Sequence, residues 1–374
     1  MFAADMQVAF RADASHDIGT GHVMRCLTLA DSLRSQGASC RFVCRQQVGD
    51  LIELVRSRGY RTDILPPVRV RPRIRKAQQS TLPRHAAWLG ASWSVDARET
   101  RAALGVDPVD LLVVDHYSLD ARWERHLRSA CRFVLVIDDL ADRPHDSDLL
   151  LDQNLGRTAG DYRELVPPHC AVLAGPEYAL LRPEFAALRP YSLARRSSPD
   201  LKHLLVSMGG VDRDNATGRV LGVLRSCIHL TGANRLTVVL GPHAPWQGYV
   251  REFAADMPVP TNVRVNVTDM ATLMAESDLA IGAAGTTSLE RCCVGLPALT
   301  AVLADNQAEV ARALQAAGAT MLIGSEGSMV ANLDTNLRLA SRPDTLRRMQ
   351  NACASITDGL GTERVTSELH HAIH

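Results

Sequence analysis

Short unbroken apolar runs alternate with stretches of helical period along most of this chain. "MQVAFRA" and "ASCRFVCR" read as strands, and "HVMRCLTLADSLRSQG" and "GDLIELVRSRG" as helices closed by Gly37 and Gly59. "VDLLVVDHY" and "CRFVLVIDDL" are further apolar runs, with "DARWERHLRSA" as the helix between them. Continuous rather than alternating strands separated by helices predict a parallel sheet covered on both faces. The rhythm restarts near residue 200. "DLKHLLVSMGG", "NRLTVVLGP", "NVRVNV", "LAIGAAG" and "LPALTAV" read as strands. "RDNATGRVLGVLRSC", "DMATLMAESD", "TTSLERCCVG" and "NQAEVARALQAAG" read as helices. Between the halves lies "RPYSLARRSSPD", whose Pro, Ser and Arg content reads as a linker. The expectation is an α/β chain of two Rossmann-like domains, 1–194 and 195–374, with a wholly helical tail from about Ser328.

Composition narrows the class. The chain has 374 residues, 46% hydrophobic and 22% charged, enough apolar material for two cores. Lysine plus arginine equals aspartate plus glutamate at 41 each, which excludes a nucleic-acid binder acting by bulk charge. The nine cysteines are an odd number with no paired CxxC knuckles, so no structural zinc site is expected. Reduced thiols in a cytoplasmic protein fit this usage. The N-terminus lacks a basic segment followed by a sustained apolar one, and no run approaches roughly 18 apolar residues, so neither a signal peptide nor a membrane span is expected. One segment breaks the rhythm: Arg69, Arg71, Arg73, Arg75, Lys76 and Arg84 occur without an acid between them. It reads as a solvated loop, with a membrane-surface or partner patch as the alternative.

Ligands of open α/β sheets bind at the carboxyl ends of strands, so the turns there are where chemistry is sought. The first is "DASHDIGTGH". Gly19 and Gly21 let backbone amides approach an anion at a helix mouth. The stretch matches neither a dinucleotide fingerprint, since Met24 stands where the third glycine belongs, nor a Walker loop. His22 at this mouth is either a capping histidine or a general base, because a helix N-terminus disfavours the imidazolium and keeps the ring neutral. The second turn, "SMGGVDRDN", sets Gly209 and Gly210 before Asp212 and Asn215: a polar nest for an anion, or a simple turn with an Asp cap. The third, "GAAGTTSLE", offers Gly285, Thr286 and Thr287 to a phosphate. Glu290, one turn on, suits ribose hydroxyls or else a capping box with Thr287. Asn306 and Gln307 at the next strand end supply neutral amides suited to sugar hydroxyls or acetamido groups. Asp138, Asp139 and Asp142 in "IDDLADRPHDSD" could bind a divalent metal, but no second cluster completes a site; two helix mouths and Arg182 can neutralise a diphosphate instead.

These turns together resemble the GT-B class of nucleotide-sugar enzymes. More narrowly, "RADASHDIGTGHVMRCLTLADSL", "VVDHYSLDARWE", "VIDDLADRPHDSDLLLDQNLG", "YALLRPEF", "SMGGVDRDN" and "GTTSLERCCVGLP" resemble the pseudaminic acid pathway hydrolases. These act on UDP-2,4-diacetamido-2,4,6-trideoxy-β-L-altropyranose. The resemblance runs from about Val8 to Gln307. It implies that His22 is the catalytic base, that Tyr117 orients sugar or water, and that Glu290 and Asn215 bind substrate. With these, the strand-end turns make Asp13, Gly19, Gly21, Arg182, Gly209, Gly210, Asp212, Gly285, Thr286, Thr287, Asn306 and Gln307 the expected substrate-binding set. Where some members carry asparagine directly before the glutamate, this chain has Leu289. The implied reaction is inverting hydrolysis without a cofactor, the UDP held mainly by the C-terminal half and bulk water excluded as the halves close. A transferase of the same fold, a nucleotide-sugar isomerase and a non-catalytic UDP-sugar sensor remain alternatives.

Overall fold

β1 (Gln7–Ala12) is the hub of the first sheet. In the computed structural model, which describes residues 6–67, 82–325 and 327–373, it is followed by α1 (Gly21–Ser35), β2 (Ser39–Arg45), α2 (Ile52–Ser57) and β3 (Arg61–Leu65). Next come α3 (Trp93–Leu104), β4 (Val109–Asp115), α4 (Ala121–Leu127), β5 (Cys131–Ile137), β6 (Leu149–Asp152) and β7 (Ala171–Ala174). The strands form one parallel sheet in the order β3-β2-β1-β4-β5-β6-β7. Register pairs Phe10 with Phe42, and their rings stack at 4.9 Å. Phe10, Leu29, Leu33 and Phe42 fill one face of the sheet; Leu112, Val114, Trp123 and Leu127 fill the other. Burial on both sides is why the strands lack alternation.

The second unit comprises α5 (Pro183–Arg195), β8 (His203–Ser207), α6 (Ala216–Cys227), β9 (Arg235–Leu240), α7 (Gln247–Ala255), β10 (Thr261–Val265) and α8 (Met270–Glu276). It continues with β11 (Leu279–Ala283), α9 (Thr287–Cys293), β12 (Ala298–Val302), α10 (Ala308–Ala316), β13 (Thr320–Ser325), α11 (Met329–Ala340) and α12 (Pro343–Ala354). Its parallel sheet runs β10-β9-β8-β11-β12-β13. α13 (Gly361–Ile373) closes the chain, so the tail is helical as expected.

Two expectations are corrected. The units divide as 6–180 with 362–373, and 181–361, rather than near Arg195. Val365 and Leu369 of α13 belong to the core of the first unit, while α5 belongs to the second. The supposed linker is in fact the end of α5, which passes through Pro190. Its arginines are not solvated. Arg189 donates to the carbonyls of Cys293, Ala354 and Thr357, Arg195 to those of Ala275 and Ser277, and Arg196 to those of Met274, Ser277 and Val294. Guanidinium groups thus satisfy the orphan carbonyls at the carboxyl ends of α8, α9 and α12. Of the basic segment, Arg69 to Lys76 lie outside the described residues; Arg84 is exposed.

Candidate active site

In each sheet the strand order reverses beside its first strand, between β1 and β4 and between β8 and β11. Within each unit, side chains at the carboxyl ends of its two strands therefore flank a crevice. In the first unit the loop after β1 is tied by Ser15, whose Oγ accepts from the amides of Asp17 and Ile18. Gly19 donates to the Ser15 carbonyl at 2.8 Å and takes φ +80°, a left-handed turn that favours glycine. Thr20 precedes α1 without capping it. The amides of Gly21, His22 and Val23 have no partner among the described residues.

His22 is therefore the second residue of an uncapped helix. It is 5% exposed, and its Nδ1 is buried without a hydrogen-bond partner. Burial, first, pulls the imidazole down to about 4; Asp115 and Asp139 oppose this, and Arg25 and His116 add to it. The ring is neutral at pH 7. The Tyr117 ring meets it edge-on at 4.4 Å, and the Tyr117 hydroxyl donates to Asp139 at 2.5 Å. Arg25, one turn further along α1, fixes the frame. It donates twice to Asp115, at 2.7 Å each, and once to Asp139 at 2.9 Å. Asn154 donates to the same Asp139 carboxylate at 3.2 Å.

Arg25 and Asp115 escaped the sequence reading, although an arginine on the apolar face of a predicted helix signals a buried partner. Asp139, read in the sequence beside Asp138 and Asp142, accepts from Tyr117, Arg25 and Asn154. Asp138 and Asp142 likewise face Arg143, at 2.7 and 3.1 Å.

Asp13, expected to touch substrate, is fully engaged elsewhere. Its carboxylate accepts from both terminal nitrogens of Arg11 and from the amide of Arg45. His116 Nε2 lies 3.3 Å from it, off line for a hydrogen bond. These partners, chiefly Arg11, hold Asp13 ionised against its burial.

The second unit presents two unlike helix mouths. Gly209, at φ +117°, and Gly210 turn the chain after β8. The mouth of α6 is then filled from within. Asp212 accepts from the amides of Ala216 and Thr217, and Asn215 accepts from that of Gly218. Asp212 and Asn215, expected at the substrate, cap α6 here. At α9 the opposite holds. Thr286 forms no side-chain cap, and the amides of Gly285, Thr286 and Thr287 have no partner among the described residues. No capping box joins Thr287 to Glu290. Glu290 instead faces Arg182 at 3.5 Å, and Arg182 also reaches Glu184 at 3.0 Å and the Thr268 carbonyl. Burial raises the Glu290 carboxyl above the usual carboxylate range, while Arg182 opposes this. At the end of β12, Gln307 accepts from the Leu303 amide, while the half-buried Asn306 amide forms no bond to a described residue.

No family model matches the chain. UDP-2,4-diacetamido-2,4,6-trideoxy-beta-L-altropyranose hydrolase of Campylobacter jejuni is 26% identical over 219 residues, 59% of this chain and 66% of that protein. Spore coat polysaccharide biosynthesis protein SpsG of Bacillus subtilis is 25% identical over 370 residues, 97% of this chain and 98% of its own length. An uncharacterised protein of Methanocaldococcus jannaschii is 22% identical over 296 residues, 78% of this chain; the chain spans about half of it, 54%. Among solved structures, MurG of Acinetobacter baumannii superposes with a TM-score of 0.66 at 16% identity, over 98% of this chain and 99% of that one. The fold is GT-B. It is joined to a distant sequence similarity with a UDP-sugar hydrolase.

Proposed function

We propose that this chain hydrolyses a UDP-linked 2,4-diacetamido-2,4,6-trideoxyhexose, with UDP-2,4-diacetamido-2,4,6-trideoxy-β-L-altropyranose as the specific candidate. The observation that carries this reading is His22: a neutral imidazole with a buried, unclaimed nitrogen, in the uncapped first turn of α1 and against Tyr117. The activity named for the Campylobacter relative supports it.

In the proposed reaction a water oxygen bonds to the anomeric carbon as the bond from that carbon to the UDP oxygen breaks. His22 takes the water proton, and the configuration inverts. Because the Tyr117 hydroxyl spends its proton on Asp139, its lone pairs are left to accept from a sugar hydroxyl or the water. UDP is a good leaving group, so a strong general acid is less needed. The free amides from Gly285 to Thr287 receive the diphosphate, Arg182 supplies positive charge, and Glu290 accepts from the ribose. Asn306 offers its amide to an acetamido group or hydroxyl.

The test is incubation with a panel of UDP-diacetamido sugars, following UDP and the anomer of the product by NMR. Release of UDP with a free, inverted sugar is expected. Turnover only when an acceptor is added would make the protein a transferase. Sugar returned on UDP would make it an isomerase, and binding without turnover a sensor; each overturns the proposal.

A further inference from the structure

Two half-exposed rings stand beside the His22–Tyr117 pair. They come from a helical turn, Ala86–Leu89, that no sequence motif singled out. His85 enters the turn and Trp88 sits within it, their ring centroids 4.2 Å apart. Both reach Tyr117, His85 at 5.6 Å and Trp88 at 6.0 Å with the planes 30° apart. Tyr117 in turn meets His22 at 4.4 Å. Four rings thus step from a buried base to the surface, the inner two buried and the outer two partly open.

The outer pair is held in place. The Ser118 hydroxyl donates to the His85 carbonyl at 2.5 Å, and the Gln47 amide donates to the Trp88 carbonyl at 3.1 Å. Leu89, next in the chain, is 1% exposed and anchors the turn in the core. The same unit buries Trp123 completely, so it can enclose an indole. A rigidly mounted indole left partly open beside the base is a surface prepared for a ligand.

We infer that Trp88, flanked by His85, determines specificity by stacking on the apolar face of the sugar. The class it selects is an N-acylated deoxyhexose. The inference rests on the hydrolase reading above for the sugar's presence at His22. Deoxy carbons and acetamido methyls present C–H bonds, whose positive hydrogens suit the negative face of an aromatic ring. That face offers no acceptor geometry to a hydroxyl, so a sugar with O–H in place of C–H there loses a water hydrogen bond without replacement. Trp88 should therefore favour methyl-bearing, deoxygenated sugars over UDP-N-acetylglucosamine.

Two measurements test this. In steady-state kinetics, Trp88→Ala should raise KM for the diacetamido-trideoxy substrate roughly 10–100-fold, with kcat changed only a few-fold. It should lower discrimination against UDP-N-acetylglucosamine by a similar factor. Trp88→Phe should retain most of both; affinity for UDP alone should be unchanged in each variant, and a kcat kept within a few-fold shows that the first unit, which carries His22, is intact. Unchanged KM and discrimination in Trp88→Ala overturn the inference. The second measurement is tryptophan fluorescence in a Trp93→Phe, Trp246→Phe background, which leaves Trp88 and the buried Trp123. Quenching by the UDP-sugar but not by UDP is expected. If no sugar is hydrolysed but this quenching occurs, the hydrolase reading fails and the stacking site stands. Binding of the UDP-sugar without quenching overturns the stacking site whatever the turnover.

Discussion

At the level of single residues, His22 concentrates the chemistry. If it is the base, His22→Ala should lower kcat by ~10²-fold or more while leaving UDP affinity near its original value. A fall in the stability of the first unit that accompanies the loss of kcat, measured by chemical denaturation, would mark a structural histidine. Its protonation adds a second expectation. Burial penalises the imidazolium, so the folded group titrates at about 4 instead of 6.5. The acid limb of kcat/KM should therefore fall near pH 4, and a limb at 6 to 7 would mean that the ring is solvated in the free enzyme. The same shift affects stability. Between pH 6.5 and about 4 the unfolded chain binds a proton that the folded chain refuses, so this group's contribution falls as pH falls through that window. The sequence foretold a neutral ring from the helix mouth alone. It did not foretell that burial outweighs every other cause, because the ring packed against His22, that of Tyr117, arrives from about 90 residues away.

The elements are held by charges that a hydrophobic pattern hides. β1 reads as an apolar strand, yet Arg11 within it is fully buried. It is matched by Asp96 of α3, which accepts from Arg11, from Arg45 of β2 and from the Trp123 indole of α4. One carboxylate therefore ties a sheet to two helices. Asp96→Ala should cost ~3–5 kcal/mol in chemical denaturation, because it takes one anionic partner from each of two buried guanidinium groups and the acceptor of the buried Trp123 indole. A cost below about 1 kcal/mol would mean that water or Glu99 compensates. The capped mouth of α6 makes a contrasting case. Asp212→Ala should cost ~1–2 kcal/mol of stability and leave UDP affinity untouched, since the carboxylate serves amides of its own helix. A large loss of UDP affinity would return Asp212 to the binding site. Helix mouths were legible in the sequence as glycine-rich turns, but "SMGGVDRDN" and "GAAGTTSLE" look alike there. What separates them is whether a side chain folds back onto the free amides, and local sequence allows either. The strands β3, β6 and β7 were missed for other reasons: β3 opens on the polar run Arg61, Thr62, Asp63, and β6 and β7 are only four residues each.

For the whole molecule, the chain order of the two units was readable because the strand–turn–helix rhythm restarts, and the parallel sheets and helical tail followed from it. The ownership of the last helix was not. α13 follows the second unit in sequence, yet Val365 and Leu369 complete the core of the first beside Leu29 and Leu33. Sequence proximity gave the wrong owner because an amphipathic helix shows that it has an apolar face, not which core receives it. Deleting residues 362–374 tests the assignment. Each of those two fully buried side chains contributes about 1.5–3 kcal/mol by leaving water, so the first unit should lose ~3–6 kcal/mol and the second almost nothing. Hydrogen exchange followed by mass spectrometry can separate the two. Protection should fall across β1, α1 and β2, while β8, β11 and β12 keep theirs. Because α1 carries His22 and Arg25, the truncated chain should also lose turnover while still binding UDP through the second unit. Loss of protection confined to β8 and β11 would show that the final helix stabilises the unit it follows, and would return the domain boundary to the neighbourhood of Arg195.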